Sequence, residues 1–117
     1  MIRGFEKQTR PISDAEKEHA RYYYQFLKTN SNMYHSSTEL RMKHGIASVR
    51  LRIIMHYIRI ELCKDDFIIA NNKGYKYTRN PKEIEEYLKS LSERINSQVS
   101  IFNRGKSLLG TLEEKWQ

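Results

Sequence analysis

The sequence has little with which to build a disulfide, a metal centre or a membrane anchor. Cys63 is the only cysteine among 117 residues, which excludes an internal disulfide and a cysteine zinc cluster and favours a reducing compartment. The four histidines, His19, His35, His44 and His56, fall on different expected elements without metal-ligand spacing. A His-Glu-x-x-His pattern and a glycine-rich phosphate loop are also missing. No catalysis and no cofactor are therefore expected. Cys63, closing an apolar stretch, reads as a buried thiol, and Asp65-Asp66 as polarity on the approach to a hairpin. No apolar run reaches transmembrane length, and Met1 to Arg10 lacks the apolar core of a secretory signal. A cytoplasmic protein with no membrane partner is the expectation. Internal repeats and low-complexity tracts are absent too.

What is present suits one folded domain. The chain is too short for two independent cores, and 38% hydrophobic with 30% charged residues is too apolar for disorder. The formal charge is +7 and the isoelectric point about 9.6, a balance that favours polyanion partners.

Ser13 and Glu16 have the spacing of a reciprocal helix cap, so a first helix should run from there to about Lys28, with Ala20, Tyr23, Tyr24 and Leu27 on one face. The run Tyr22-Tyr23-Tyr24 suits base stacking as well, but this spacing favours core. Thr29 to Asn32 breaks the helix, and Ser36 with Glu39 offers a second capping box. The short second helix should stop near Gly45. A third helix, Ala47 to Leu62, carries Leu51, Ile54, Met55, Ile58 and Leu62 at intervals of three and four. Phe67 to Ala70 and Tyr75 to Tyr77 read as strands joined across Asn71-Asn72-Lys73-Gly74. A fourth helix starts at Pro81, capped by Asn80, with one narrow apolar seam: Ile84, Leu88, Leu91, Ile95, Gln98 and Phe102. Gly105 should end it, and Leu108, Leu109, Leu112 and Trp116 offer another amphipathic turn or two. The expected organisation is a lead-in over 1–12, a core over 13–79, a long helix over 80–104 that packs on the core or dimerises, and a tail or short helix over 105–117.

Charge is unevenly spread along these elements. Arg41 to Ile60 holds Arg41, Lys43, Arg50, Arg52 and Arg59 and no acid, and Asn71 to Arg79 holds Lys73, Lys76 and Arg79 and again no acid. Pro81 to Arg94 is by contrast nearly neutral. Helix, glycine-centred turn, helix and hairpin in this order give an α+β, mainly helical fold of the winged helix-turn-helix type: three helices, a β-hairpin wing and a long C-terminal helix. The acid-free elements are the two that such a fold turns toward DNA.

The residues Gly45-Ile46, Leu51-Arg52, Ile58-Arg59, Lys73-Gly74-Tyr75, Pro81 to Tyr87 and Leu91 to Arg94 together resemble the winged-helix domains encoded by phages and prophages of Gram-positive bacteria. The likeness covers roughly residues 36–101, and the Gly-Tyr hairpin followed by an acidic-start helix is its most specific part. Cys63 to Asp66 is more acidic than the pattern. The resemblance implies a sequence-specific double-stranded DNA-binding protein acting in host cytoplasm, as a regulator or a replication or recombination accessory.

The residues expected at DNA are Lys43, Ser48, Arg50, Arg52, His56, Asn72, Lys73 and Lys76, with arginine reading bases and lysine holding phosphates. Arg59 is placed either at DNA or against an acid of the fourth helix, and His56 either at DNA or as a surface histidine. Ile84, Leu88, Leu91, Ile95 and Phe102 are the expected dimerisation residues if that helix does not fold back as a monomer. The alternative function is a small protein-interaction module that dimerises or binds a host or phage protein.

Overall fold

The computed structural model describes residues 11–116, so most of the expected lead-in over 1–12 lies outside the described residues. Contacts divide the chain into one unit ending at Asn80 and another starting at Pro81. The architecture is mainly helical, with a two-stranded antiparallel sheet and a long C-terminal helix.

Helix α1 spans Asp14–Thr29, and its start is held as the Ser13/Glu16 spacing predicts. The Glu16 amide donates to Ser13 Oγ (3.1 Å), and the Ser13 amide donates to Glu16 Oε1 (3.0 Å). Each bond satisfies an amide that the first helical turn leaves without a backbone partner. Ala20, Tyr23 and Leu27 form the buried stripe. The three tyrosines separate: Tyr23 is buried and donates to the Leu40 carbonyl (2.5 Å), Tyr24 is half-buried, and Tyr22 is exposed.

Helix α2, Ser37–Met42, makes only half of its expected cap. Ser36 Oγ accepts from the Glu39 amide (3.0 Å), but the Glu39 carboxylate turns instead to His35 Nδ1 (2.9 Å). The helix ends in a turn where Gly45 takes φ +62°, a conformation that costs other L-residues energy. Two bonds close the turn: the Ile46 amide donates to the Arg41 carbonyl, and Arg41 Nε donates to the Ile46 carbonyl, both at 3.0 Å.

Helix α3, Ser48–Tyr57, is shorter than the expected Ala47 to Leu62. Residues Ile58–Leu62 form a single wider turn, in which the Cys63 amide reaches back five residues to the Ile58 carbonyl (2.9 Å). Hydrophobic spacing does not distinguish such a turn from α-helix, because Ile58 remains buried beside Leu51, Ile54 and Met55.

Strands β1, Phe67–Asn71, and β2, Gly74–Thr78, pair from Phe67 opposite Thr78 to Asn71 opposite Gly74. At the tip of the hairpin Gly74 takes positive φ. Asn71 Oδ1 accepts from the Lys73 amide (2.8 Å), which organises the tip from the side chain. The free edge of β2 is partly covered by His35, whose amide donates to the Tyr75 carbonyl (2.8 Å) and whose carbonyl accepts from the Tyr75 amide (2.9 Å). Gly74 lies so close to this segment that a Cβ there would collide with the His35 carbonyl. Ile68 and Tyr77 carry the sheet into the core formed by α1, α2 and α3.

The second unit is helix α4, Pro81–Trp116. It begins at the expected proline but does not end at Gly105. Neither Gly105 nor Gly110 has positive φ, and Thr111 Oγ1 bonds the Ser107 carbonyl (3.3 Å) within the continuing helix. A lone glycine costs a helix only about 1 kcal/mol relative to alanine. The surrounding Lys106, Leu108, Leu109, Leu112 and Glu113 are mostly good helix formers. The expected break between 80–104 and 105–117 is therefore corrected to one continuous helix.

Candidate nucleic-acid interface

The eight residues expected at DNA divide by environment. On α3, Ser48, Arg52 and His56 recur at every fourth position and all three are exposed. They share a face that excludes the buried Leu51, Ile54, Met55 and Ile58. Lys43 is exposed beside the turn, with Nζ 4.0 Å from the centre of the Phe26 ring. At the hairpin tip Asn72 and Lys73 are exposed. Lys76 is half-buried, its Nζ 5.5 Å from the Tyr34 ring centre.

Arg50 departs from the expectation. Its Nε and one terminal nitrogen grip Glu16 Oε2 and Oε1 at 2.6 and 2.5 Å, and the same terminal nitrogen reaches the Pro11 carbonyl at 3.3 Å. Both side chains of this pair are largely covered. The Arg50 hydrogen bond and the Ser13 cap overcome the cost of burial and hold the Glu16 carboxyl down to about 2. A guanidinium forked onto a covered carboxylate is a tertiary clamp between α1 and α3, and the structure places Arg50, expected at base edges or flanking phosphates, in that clamp. Local charge counting missed this because the acid lies 34 residues away in sequence.

Arg59 is also structural in placement. Its Nε donates to the Ile68 carbonyl (2.7 Å), and its guanidinium lies between 5.8 and 5.9 Å from the ring centres of Phe67 and Tyr75. Arg79 pairs with Asp65 (2.9 Å), both exposed.

Two depressions connect the turn to the hairpin. One is lined by Thr38, Arg41, Met42, Gly45, Ile46 and Ala47. The other runs from Ser36, Ser37 and Thr38 to Asn71, Asn72, Lys73 and Gly74. Thr38 borders both, so the start of α2 joins the hairpin tip to the residues leading into α3.

Two arrangements carry no signal in local sequence patterns. Asp66, expected as polarity on the approach to the hairpin, is buried and accepts from the Lys64 amide (2.9 Å), the Tyr77 hydroxyl (2.7 Å) and the Tyr24 hydroxyl. Burial alone would raise its carboxyl, but these hydrogen bonds outweigh it and leave the group below its ordinary value. Burial and the Asp66 contact push Tyr77 up to about 12 and raise Tyr24 further. Cys63 beside them is pushed up to about 11, by burial first and then by Asp66, so the thiol is poorly nucleophilic. The second arrangement is a stack of His19 on His44, ring centres 4.4 Å apart and planes 14° from parallel, with Tyr22 and Tyr23 edge-on to His44. Burial, then the neighbouring His19 and Lys43, lower the His44 ring.

Among the described residues no three His, Cys, Asp or Glu side chains are grouped to hold a metal ion, and no helix is long and apolar enough to cross a membrane. In comparison with known proteins, the chain matches no family model, no curated protein and no solved structure.

Proposed function

We propose that the unit ending at Asn80 is a winged helix-turn-helix that binds double-stranded DNA in a sequence-specific way. In this proposal α2, the Gly45 turn and α3 form the helix-turn-helix, His35 provides a one-residue strand against β2, and the Asn72-Lys73 tip is the wing. The order of helix, bridge, two helices and hairpin supports that assignment. α3 then enters the major groove with Arg52 as the main base reader and Ser48 and His56 beside it. Lys43, Asn72 and Lys73 hold the phosphate backbone, with Lys76 a secondary contact. Assignment to phage-type regulators or replication and recombination accessories rests on the family resemblance alone. No catalytic step is assigned.

The carrying observation is the exposed file Ser48, Arg52 and His56, opposite the buried face of a helix whose own sequence contains no acid. Clearing acids from one helical face lowers repulsion of phosphate over the whole approach, whereas an isolated surface arginine would not require it. Selection of bound sequences from a random duplex pool tests the proposal. A recovered consensus is expected, and enrichment of no sequence above background would refute specific recognition.

A further inference from the structure

Because α4 continues past Gly105, its apolar seam is longer than the expected 84–102. Alternating steps of four and three from Ile84 lead through Leu88, Leu91, Ile95, Gln98, Phe102 and Gly105 to Leu109 and Leu112 without a break in register. Leu88, Ile95, Phe102, Leu109 and Leu112 remain between 42% and 57% exposed, and the flanking Val99, Ile101 and Leu108 are also exposed. At ordinary side-chain sizes these residues leave on the order of 700 Å² per chain uncovered, close to the roughly 800 Å² per partner of a stable interface.

We infer that α4 pairs with α4 of a second copy of this chain, antiparallel, about a two-fold axis passing near Ser100. The seam is self-complementary in that orientation. Leu88 meets Leu112 and Leu91 meets Leu109, while the small Gly105 lies opposite Ile95 and the polar Gln98 opposite Phe102. Val99 and Ile101 meet their own counterparts beside the axis. In a parallel pair Gly105 would face Gly105 and Gln98 would face Gln98, leaving a void and an apposed amide pair in the seam. An interface in which each residue i meets j while j meets i closes at two copies and leaves no free end for further growth. Glu85 opposes Glu113 near the ends of the pair, so added salt tightens this association, whereas it loosens binding to DNA.

The test uses the full chain carrying Cys63→Ser, in sedimentation equilibrium and in disulfide trapping. A dimer mass is expected, falling to monomer in both Phe102→Glu and Leu109→Glu while helical circular dichroism is retained. These positions are exposed in the single chain, so the core does not depend on them. For orientation, Leu88→Cys protein mixed with Leu112→Cys protein should give the mixed disulfide, with little disulfide in either protein alone. A monomer at the highest soluble concentration overturns the inference. So does a dimer that survives both glutamate substitutions, and self-linking of Leu88→Cys overturns the antiparallel arrangement.

Discussion

Arg50 and Glu16 form a two-pronged ion pair that ties α3 to the first turn of α1, with the same carboxylate also capping that turn through Ser13. Glu16→Gln keeps the shape and removes the charge. It should destabilise the protein by about 1.5 to 3 kcal/mol, the usual contribution of hydrogen bonds to charged groups, read by urea unfolding. The pH dependence has a definite sign. The folded carboxyl is depressed from 4.5 to about 2, so its contribution is complete above 4.5 and is lost as pH falls toward 2. Glu16→Gln should abolish that part of the acid sensitivity.

Because Arg50 is committed to Glu16, base discrimination should separate from stability among the cations. Arg52→Ala should cost about 1 to 3 kcal/mol of affinity for the selected duplex and relax preference at one position. Lys73→Ala should weaken all duplexes alike and reduce the salt slope by about 1. Arg50→Ala should lower the unfolding midpoint while leaving the base preference of the folded fraction unchanged. Fluorescence anisotropy on matched and mismatched duplexes checks all three, and equal effects of Arg52→Ala on every duplex would remove it as a base reader.

Gly45 and Gly74, both with positive φ, should respond unequally to alanine. A Cβ added at Gly45 would meet nothing within 4 Å, so Gly45→Ala should cost only its left-handed backbone penalty, about 1 to 2 kcal/mol. Gly74→Ala adds a collision with the His35 carbonyl and Ser36 Cα. It should cost roughly 4 kcal/mol or more, or displace the His35 bridge. Chemical denaturation ranks the pair, and equal losses would contradict the close approach at Gly74.

The carboxylate of Asp66 receives one amide and two tyrosine hydroxyls. Asp66→Asn puts an amide donor where acceptors are needed and should cost about 1 to 3 kcal/mol. Tyr77, pushed up from 10 to about 12, contributes stability that is intact below pH 10 and disappears as pH rises through 12. Ultraviolet titration should show late-ionising tyrosine in the native protein and earlier ionisation in Asp66→Asn.

His44 should titrate below the ordinary 6.5 by NMR, because burial and the His19 ring disfavour its charged form. The stability linked to it is present above 6.5 and declines as pH falls below that value, since the unfolded chain takes up the proton first. His19→Phe keeps a stacking ring without the second charge and should bring the His44 titration back toward 6.5.

Much of the first unit was legible because its signals are local. A cap three residues wide, a buried stripe at helical spacing, and a glycine that alone tolerates φ +62° each act within one or two turns of chain, and α1, the Gly45 turn and the hairpin formed accordingly. The file Ser48, Arg52 and His56 follows from the same periodicity. What tertiary structure alone decided depends on groups far apart in sequence. Glu16 arrives from α1 to neutralise Arg50, Tyr24 and Tyr77 converge on Asp66, and the β2 edge reaches His35. The continuation of α4 through Gly105 is a different case: good helix formers on either side outweigh one glycine, which ends a helix only where the chain turns into the left-handed region, and here it does not.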